Sequence, residues 1–84
     1  MKTIILTNRA AKELDALPPA TRAAIEAGLD AYAVSGRGDV KRLQGREGFR
    51  LRIGRYRVIF AEDAVTILAF TIGKRETNTY RGPT

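Results

Sequence analysis

The chain has 84 residues, a length that suits one domain, and 44% of them are hydrophobic, enough for one modest core. It contains no histidine and no cysteine, which excludes disulfides, thiol chemistry and a zinc site built from those residues. No apolar run approaches the roughly 18 residues of a membrane span, and the N-terminal apolar stretch is too short for a signal peptide. We therefore expect a single domain over residues 1–84 in the cytoplasm, with no metal and no cofactor.

The net charge of +6 lies in the second half of the chain. Residues 1–40 carry five basic and five acidic side chains, whereas residues 41–84 carry ten basic and four acidic ones. A neutral half followed by a basic half is typical of a scaffold with a surface for a polyanion or an acidic protein. A solvated basic face that maintains solubility would have the same composition, so charge alone leaves these interpretations open.

Hydrophobic spacing in the first half predicts one strand and two helices. Residues 2–6 are largely β-branched and apolar, as in a short strand. Thr7 can cap a following helix, which Pro18 stops because proline cannot donate to the helical ladder. Pro19 can open a second helix, since its missing N–H would be unpaired there anyway. We therefore predict a helical hairpin over residues 8–34. The apolar face of the second helix is predicted to hold Ile25, Leu29, Tyr32 and Ala33.

The second half is predicted to form three strands after a loop. Residues 36–48 are polar and glycine-spaced, which indicates a crossing loop. Apolar and polar residues then alternate over 49–53 and 56–60, as in half-buried strands, and residues 65–72 suit an interior strand. The order β-α-α-β-β-β predicts an α+β fold, with a small, largely antiparallel sheet and the helical pair on one face. Residues 73–84 are predicted to be a polar tail that is flexible or orders on a partner.

Basic side chains are predicted to share the open face of this sheet. Arg50 and Arg52 are two residues apart on one strand and so point the same way, and Arg57 on the paired strand can lie beside them. Neighbouring like charges repel each other, so stability alone does not favour this arrangement. Arginine forks could bind RNA phosphates while an aromatic ring stacks on a base, or they could bind carboxylates of an acidic protein. The further candidates are Lys41, Arg42, Arg46, Arg55, Lys74, Arg75 and Tyr80.

Three other groups of residues are predicted to be structural. The glycines do not fit the order or spacing of a phosphate-binding loop and are predicted at turns, at Gly36, Gly38, Gly45, Gly48 and Gly54. The aromatic residues predicted in the core are Phe49, Tyr56, Phe60 and Phe70. The carboxylates near the basic residues, interpreted as ion-pair partners and not as general bases, are Glu47 and Glu76.

Three segments resemble the RelE/ParE toxin superfamily. They are KRLQG over residues 41–45, FRLRIGRYRVIF over residues 49–60, and IGKR over residues 72–75 followed by Tyr80. The resemblance covers roughly residues 3–80. It implies the fold of that superfamily and a toxin of a type II toxin–antitoxin pair, held inactive by a cognate antitoxin.

The RelE branch of the superfamily cleaves mRNA in the ribosomal A site, where the 2′-hydroxyl attacks the neighbouring phosphate. Resemblance to this branch implies an mRNA interferase, an endoribonuclease that inhibits translation on the ribosome. Arg57 and Arg75 would stabilise the extra negative charge on the phosphate. Tyr80 would stack on a base or orient the nucleophile. The implied catalytic residues are Arg50, Arg52, Arg57, Arg75 and Tyr80. The implied RNA-binding residues are Lys41, Arg42, Arg46, Arg55 and Lys74.

Two alternatives share this fold. The ParE branch inhibits DNA gyrase and cleaves nothing, and a non-catalytic homologue would only bind its antitoxin and help to repress its operon. The closely spaced basic strand residues and the Gly-Lys-Arg…Tyr ending favour the RelE branch. In every case the partner is an antitoxin, which we expect to be acidic where it meets the basic surface and to use a disordered segment. Operator DNA would be contacted only through that antitoxin.

Overall fold

The computed structural model describes residues 1–74. Arg75, Glu76 and Tyr80 therefore lie outside the described residues. Of the predicted tail over residues 73–84, Gly73 and Lys74 belong instead to the last strand. The elements in chain order are β1 (Thr3–Leu6), α1 (Asn8–Asp15), α2 (Pro19–Ser35), β2 (Asp39–Arg42), β3 (Phe49–Ile53), β4 (Tyr56–Glu62) and β5 (Thr66–Lys74). Over this part of the chain, no helix is long and apolar enough to cross a membrane.

Local signals set the ends of both helices, as predicted. The Thr7 hydroxyl accepts a hydrogen bond of 3.1 Å from the Ala10 N–H at the start of α1. Pro19 occupies the first turn of α2. Gly36 ends α2 in the left-handed region, with φ of 76°, and its N–H donates to the carbonyl of Tyr32.

The five strands form one sheet in the order β1-β5-β4-β3-β2. β1 pairs with β5 in parallel and the other pairs are antiparallel. The helical hairpin therefore carries the chain from one edge of the sheet to the other. The predicted loop over residues 36–48 is wrong in one respect, because it contains the edge strand β2. Only Val40 of this four-residue strand is apolar, so alternation gave no signal, while its charged residues suit an unpaired edge.

Both helices pack on one face of the sheet, as predicted, and the core lies between these two layers. Phe60 on β4 is fully buried at its centre. Its ring meets the edge of Tyr32 from α2, with centroids 5.4 Å apart, and stacks on Phe49 of β3 at 5.5 Å. The buried core residues are Ala10, Leu14, Ile25, Leu29, Ala33, Leu51, Val58, Phe60, Ile67, Ala69 and Ile72.

The prediction that Phe70 lies in the core is wrong. Ile59 pairs with Thr71 and Phe60 pairs with Ala69, so Phe70 is an extra residue on β5 and forms a β-bulge. Ile67 and Ala69 face the helices, so Phe70 lies on the other side of the sheet, 39% exposed, and the bulge then turns Thr71 to that same side and Ile72 into the core. We call this side, which the helices do not cover, the outer face. Phe60 is in the core as predicted, and Phe49 and Tyr56 pack against it half-buried.

A hydrogen-bonded network ties the end of β4 to α2 and to the start of the chain. The Glu62 carboxylate accepts from Lys2 Nζ at 2.7 Å and from the Tyr32 hydroxyl at 2.8 Å. Burial raises the pKa of the Glu62 carboxyl, but the bonds from Lys2 and Tyr32 outweigh it and hold that pKa below its usual value. Burial and the adjacent carboxylate raise the pKa of Tyr32 from 10.0 to about 12.

The raised pKa of Tyr32 predicts a loss of stability at alkaline pH. Because the folded state holds the phenol proton more tightly, this contribution is complete below pH 10 and is lost as pH rises towards about 12. Urea unfolding across this range should show a steeper fall in the free energy of unfolding for the wild type than for Tyr32→Phe. Tyr56→Phe, which leaves the Glu62 network intact, should follow the wild type. Equal slopes for wild type and Tyr32→Phe would contradict the prediction.

Candidate functional site

Strand register brings basic residues from three strands together on the outer face. Asp39 pairs with Arg52, Arg52 pairs with Arg57, and Arg57 pairs with Gly73, so the four residues form one row across β2, β3, β4 and β5. Paired residues point to the same side, and neighbouring strands lie about 4.8 Å apart. Arg52 and Arg57 are therefore two like charges directly opposite each other, as predicted from the alternation of β3 and β4.

A second row lies beside the first. It consists of Lys41, Arg50, Ile59 and Thr71, again in register across the same four strands. The basic residues of the two rows, which we call the basic cluster, are Lys41, Arg50, Arg52 and Arg57. Beside the cluster, a Cβ placed on Gly73 would meet no atom of residues 1–74 within 4 Å. The backbone of β5 is thus open to a ligand at that point.

The basic cluster is short of acceptors within residues 1–74. One carboxylate approaches it, with Asp39 Oδ2 3.6 Å from Arg52 Nε. The Nε atoms of Arg50 and Arg52 are buried and have no hydrogen-bond partner among the described residues. A buried donor without a partner costs about 1–3 kcal/mol. Within residues 1–74 one carboxylate thus faces four cations, and this excess of positive charge favours binding of an anion by the exposed ends of the guanidinium groups.

The remaining basic candidates do not all lie on the outer face. The guanidinium of Arg42 lies 5.6 Å from the centre of the Phe49 ring, and Lys74 pairs with Tyr56, so both belong to positions on the helical side. Arg55 lies in the turn between β3 and β4, and Arg46 lies in the connection between β2 and β3. The structure thus groups Lys41, but not Arg42 or Lys74, with the strand arginines.

Glu13 is a residue of this region that sequence reasoning missed. Its Oε1 accepts from the Thr71 hydroxyl and from the Ile72 N–H, each at 2.7 Å, so α1 holds the end of β5. Burial raises the pKa of the Glu13 carboxyl, but the bonds from Ile72, Thr71 and Arg9 outweigh it and lower that pKa. In the sequence, the only signal for Glu13 was its position next to Leu14, which lies on the apolar face of the predicted first helix.

Asp39 was also missed, because the sequence placed it in a loop and not on a strand. Its place in the row next to Arg52 depends on pairing between β2 and β3, which no local pattern predicted. The predicted ion-pair partner Glu47 is instead in the connection between these strands, near Arg46. Within residues 1–74 no three acidic side chains come close enough together to hold a metal ion.

A small mixed sheet, a helical hairpin on one face and a basic cluster on the other define an α+β protein of the RelE fold. No family model and no curated protein sequence matches the chain. Solved structures do match it. The isolated RelE toxin of E. coli has a TM-score of 0.75 and 20% identity, covering 99% of this chain and 95% of that one. The RelE-like fold expected from the resemblance is thereby confirmed.

Two toxin–antitoxin complexes have the same fold. The RelB–RelE complex from Methanococcus jannaschii matches with a TM-score of 0.71 and 20% identity, over 93% of this chain and 96% of that one. The RelBE2 complex from Mycobacterium tuberculosis matches with a TM-score of 0.68 and 25% identity, over 88% and 98%. The similarity therefore extends over nearly the full length of these chains, from bacteria and an archaeon alike.

Proposed function

We propose that the chain is the toxin of a type II toxin–antitoxin pair and that it cleaves mRNA in the ribosomal A site. The observation that carries the proposal is the basic cluster on the open face of a RelE fold. Arg50 and Arg52 lie two residues apart on β3, and Arg57 lies directly beside Arg52. Among residues 1–74, Asp39 is the one carboxylate within ion-pair distance of the cluster. Such an arrangement suits a phosphate, which offers several acceptor oxygens to arginine forks.

In this proposal the cluster acts on the charge that develops during cleavage. The 2′-hydroxyl gives its proton to water as its oxygen attacks the neighbouring phosphorus. The bond to the 5′-oxygen of the next nucleotide breaks, and that oxygen takes a proton from water. Arg52 and Arg57 lie beside each other and would stabilise the extra negative charge on the phosphate oxygens. An arginine, with a pKa above about 12, does not accept the proton of the nucleophile. The cluster therefore contributes by electrostatic stabilisation, and the ribosome positions the mRNA.

Residues outside the described part of the chain complete the proposed site. Arg75 follows Lys74 at the end of β5, next to the strand that carries Arg57. Arg75 would contact the reacting phosphate, and Tyr80 would stack on a base or orient the nucleophile, as the resemblance implies. The proposed RNA-binding residues around them are Lys41, Arg42, Arg46, Arg55 and Lys74.

We propose a cognate antitoxin as the stable partner. RelE of similar structure has been solved in complex with RelB. An acidic segment of an antitoxin would pair with the basic cluster and exclude RNA from it, which accounts for inhibition by simple occupation. The toxin would act in the cytoplasm, and operator DNA would be contacted through the antitoxin.

Primer extension on an mRNA held in programmed ribosomes tests the proposed activity. Purified protein should create new 3′ ends at A-site codons, and addition of the antitoxin should remove them. The same mRNA without ribosomes serves as the control and should be cleaved much less. Intact mRNA from a preparation that arrests growth would refute ribonuclease activity. A supercoiling assay on that preparation would then test gyrase as the target, whereas no arrest would indicate a homologue that only binds antitoxin.

A further inference from the structure

A groove of about 440 Å³ begins where the basic cluster ends. Its floor contains Ile59 and Thr71, which pair with each other across β4 and β5. Ile59 also pairs with Arg50 of the cluster, on the other side. The groove and the cluster therefore share one continuous surface on the outer face. The residues lining the groove include Arg9, Arg46, Glu47, Ile59, Phe70 and Thr71.

Alternation and the bulge together present Phe70 and Thr71 to this groove. Ile67 and Ala69 face the helices, so alternation puts Phe70 on the outer face, where it is 39% exposed, and the bulge turns Thr71 to the same face and Ile72 into the core. Contacts from α1 hold the segment on both sides of the bulge. The Thr7 hydroxyl donates to the Phe70 carbonyl at 2.9 Å, and Glu13 accepts from Thr71 and from the Ile72 N–H. The exposed position of the ring is thus fixed by the fold and does not result from a loose strand.

The chemistry of the groove matches an unpaired base attached to a bound phosphate. An exposed aromatic ring is a stacking platform for any base, and the flanking cations Arg9 and Arg46 suit the charged backbone of a nucleic acid. Arg50 lies on the strand next to Ile59, at a strand separation of about 4.8 Å. A nucleotide whose phosphate contacts Arg50 can therefore place its base in the groove.

We propose that the groove binds one unpaired base of the RNA, stacked on Phe70, and so contributes to sequence preference. The proposal rests on the proposed function, because its ligand is the RNA substrate. Glu47 has a carboxylate, which only accepts hydrogen bonds. Adenine, cytosine and guanine have an exocyclic amino group that can donate to it. Uracil has none and can donate only through its ring N3–H, which lies between two carbonyl oxygens that repel a carboxylate. The groove therefore prefers these three bases over uracil.

Fluorescence of Phe70→Trp provides a direct test, because the chain contains no tryptophan of its own. The probes are 2′-O-methyl oligocytidylate and oligouridylate, which bind without being cleaved by 2′-hydroxyl attack. At low salt, oligocytidylate should quench the tryptophan through stacking and should bind more tightly than oligouridylate. Val34→Trp, an exposed position on α2 in the helical layer, is the matched control and should not be quenched.

Substitution of the aromatic ring gives a second measurement. Phe70→Leu keeps an apolar side chain but removes the stacking surface, so affinity for oligocytidylate should fall by about 5- to 150-fold. Phe70→Tyr should retain the affinity, because it retains the ring. Thermal unfolding of each variant shows that the fold is preserved.

The outcomes separate this inference from the function on which it rests. RNA binding by the wild type, with no quenching in Phe70→Trp and with undiminished affinity in Phe70→Leu, would overturn the inference alone. Absence of any oligonucleotide binding at low salt would also overturn the inference, whereas the proposed function is decided separately by primer extension on programmed ribosomes. Quenching by the antitoxin but not by RNA would assign the groove to a protein partner and also overturn the inference.

Discussion

Arg57→Ala should abolish growth arrest and lower the rate of mRNA cleavage on the ribosome by about 10²- to 10³-fold. Arg57 lies in register with Arg52 and beside the open backbone at Gly73, so its guanidinium is placed to meet a phosphate from the solvent side. Removal of one hydrogen-bond donor that stabilises the charge developing in the transition state lowers the rate of cleavage, in addition to any loss of RNA affinity. Single-turnover cleavage on programmed ribosomes measures the effect.

The controls for this substitution distinguish catalysis from folding. Arg37→Ala changes an exposed arginine between α2 and β2 and should cleave like the wild type. Arg57→Lys keeps the charge but loses the planar fork, so its rate should fall between those of wild type and Arg57→Ala. Circular dichroism should be unchanged in all three variants. Full toxicity in both Arg57→Ala and Arg75→Ala would contradict the catalytic assignment of these arginines.

Phe60→Ala should destabilise the fold by about 3–5 kcal/mol. The ring is fully buried and contacts both Tyr32 and Phe49, so truncation leaves a cavity between the sheet and α2. A small domain has a total stability of about 5–15 kcal/mol, so this loss is a large share of it. Urea unfolding and the melting temperature measure the effect, and the midpoint temperature should fall by more than about 12 °C.

Phe70→Ala is the matched control for this core substitution. It removes the same ring from a position that is 39% exposed on the outer face, where no comparable cavity forms. Its cost should be below about 1.5 kcal/mol, well under that of Phe60→Ala. If Phe70→Ala lowered the free energy of unfolding as much as Phe60→Ala, the Phe70 side chain would have to be packed as tightly as a core residue, which would contradict the prediction.

The sequence alone predicted the parts of this protein that depend on neighbours along the chain. Pro19 starts α2 through the geometry of proline itself, whereas α1 ends at Asp15, three residues before Pro18, which was predicted to stop it. Alternation over β3 and β4 placed Arg50, Arg52 and Arg57 on one face, because side chains on a strand alternate by a fixed period. The five glycines predicted at turns all have positive φ, at Gly36, Gly38, Gly45, Gly48 and Gly54.

Only the tertiary structure decided which distant residues meet. The strand β2 is too short and too polar to be found by periodicity, and it forms because β3 offers it hydrogen bonds; this pairing brings Asp39 beside Arg52. The bulge that places Thr71 beside Phe70 on the outer face depends on the pairing of β4 with β5 and on contacts from Glu13, 58 positions away from Thr71. Such pairings are set by long-range packing, for which a single sequence has no local signal. The shared face of the basic residues was therefore predictable from the sequence, whereas the groove beside them was not.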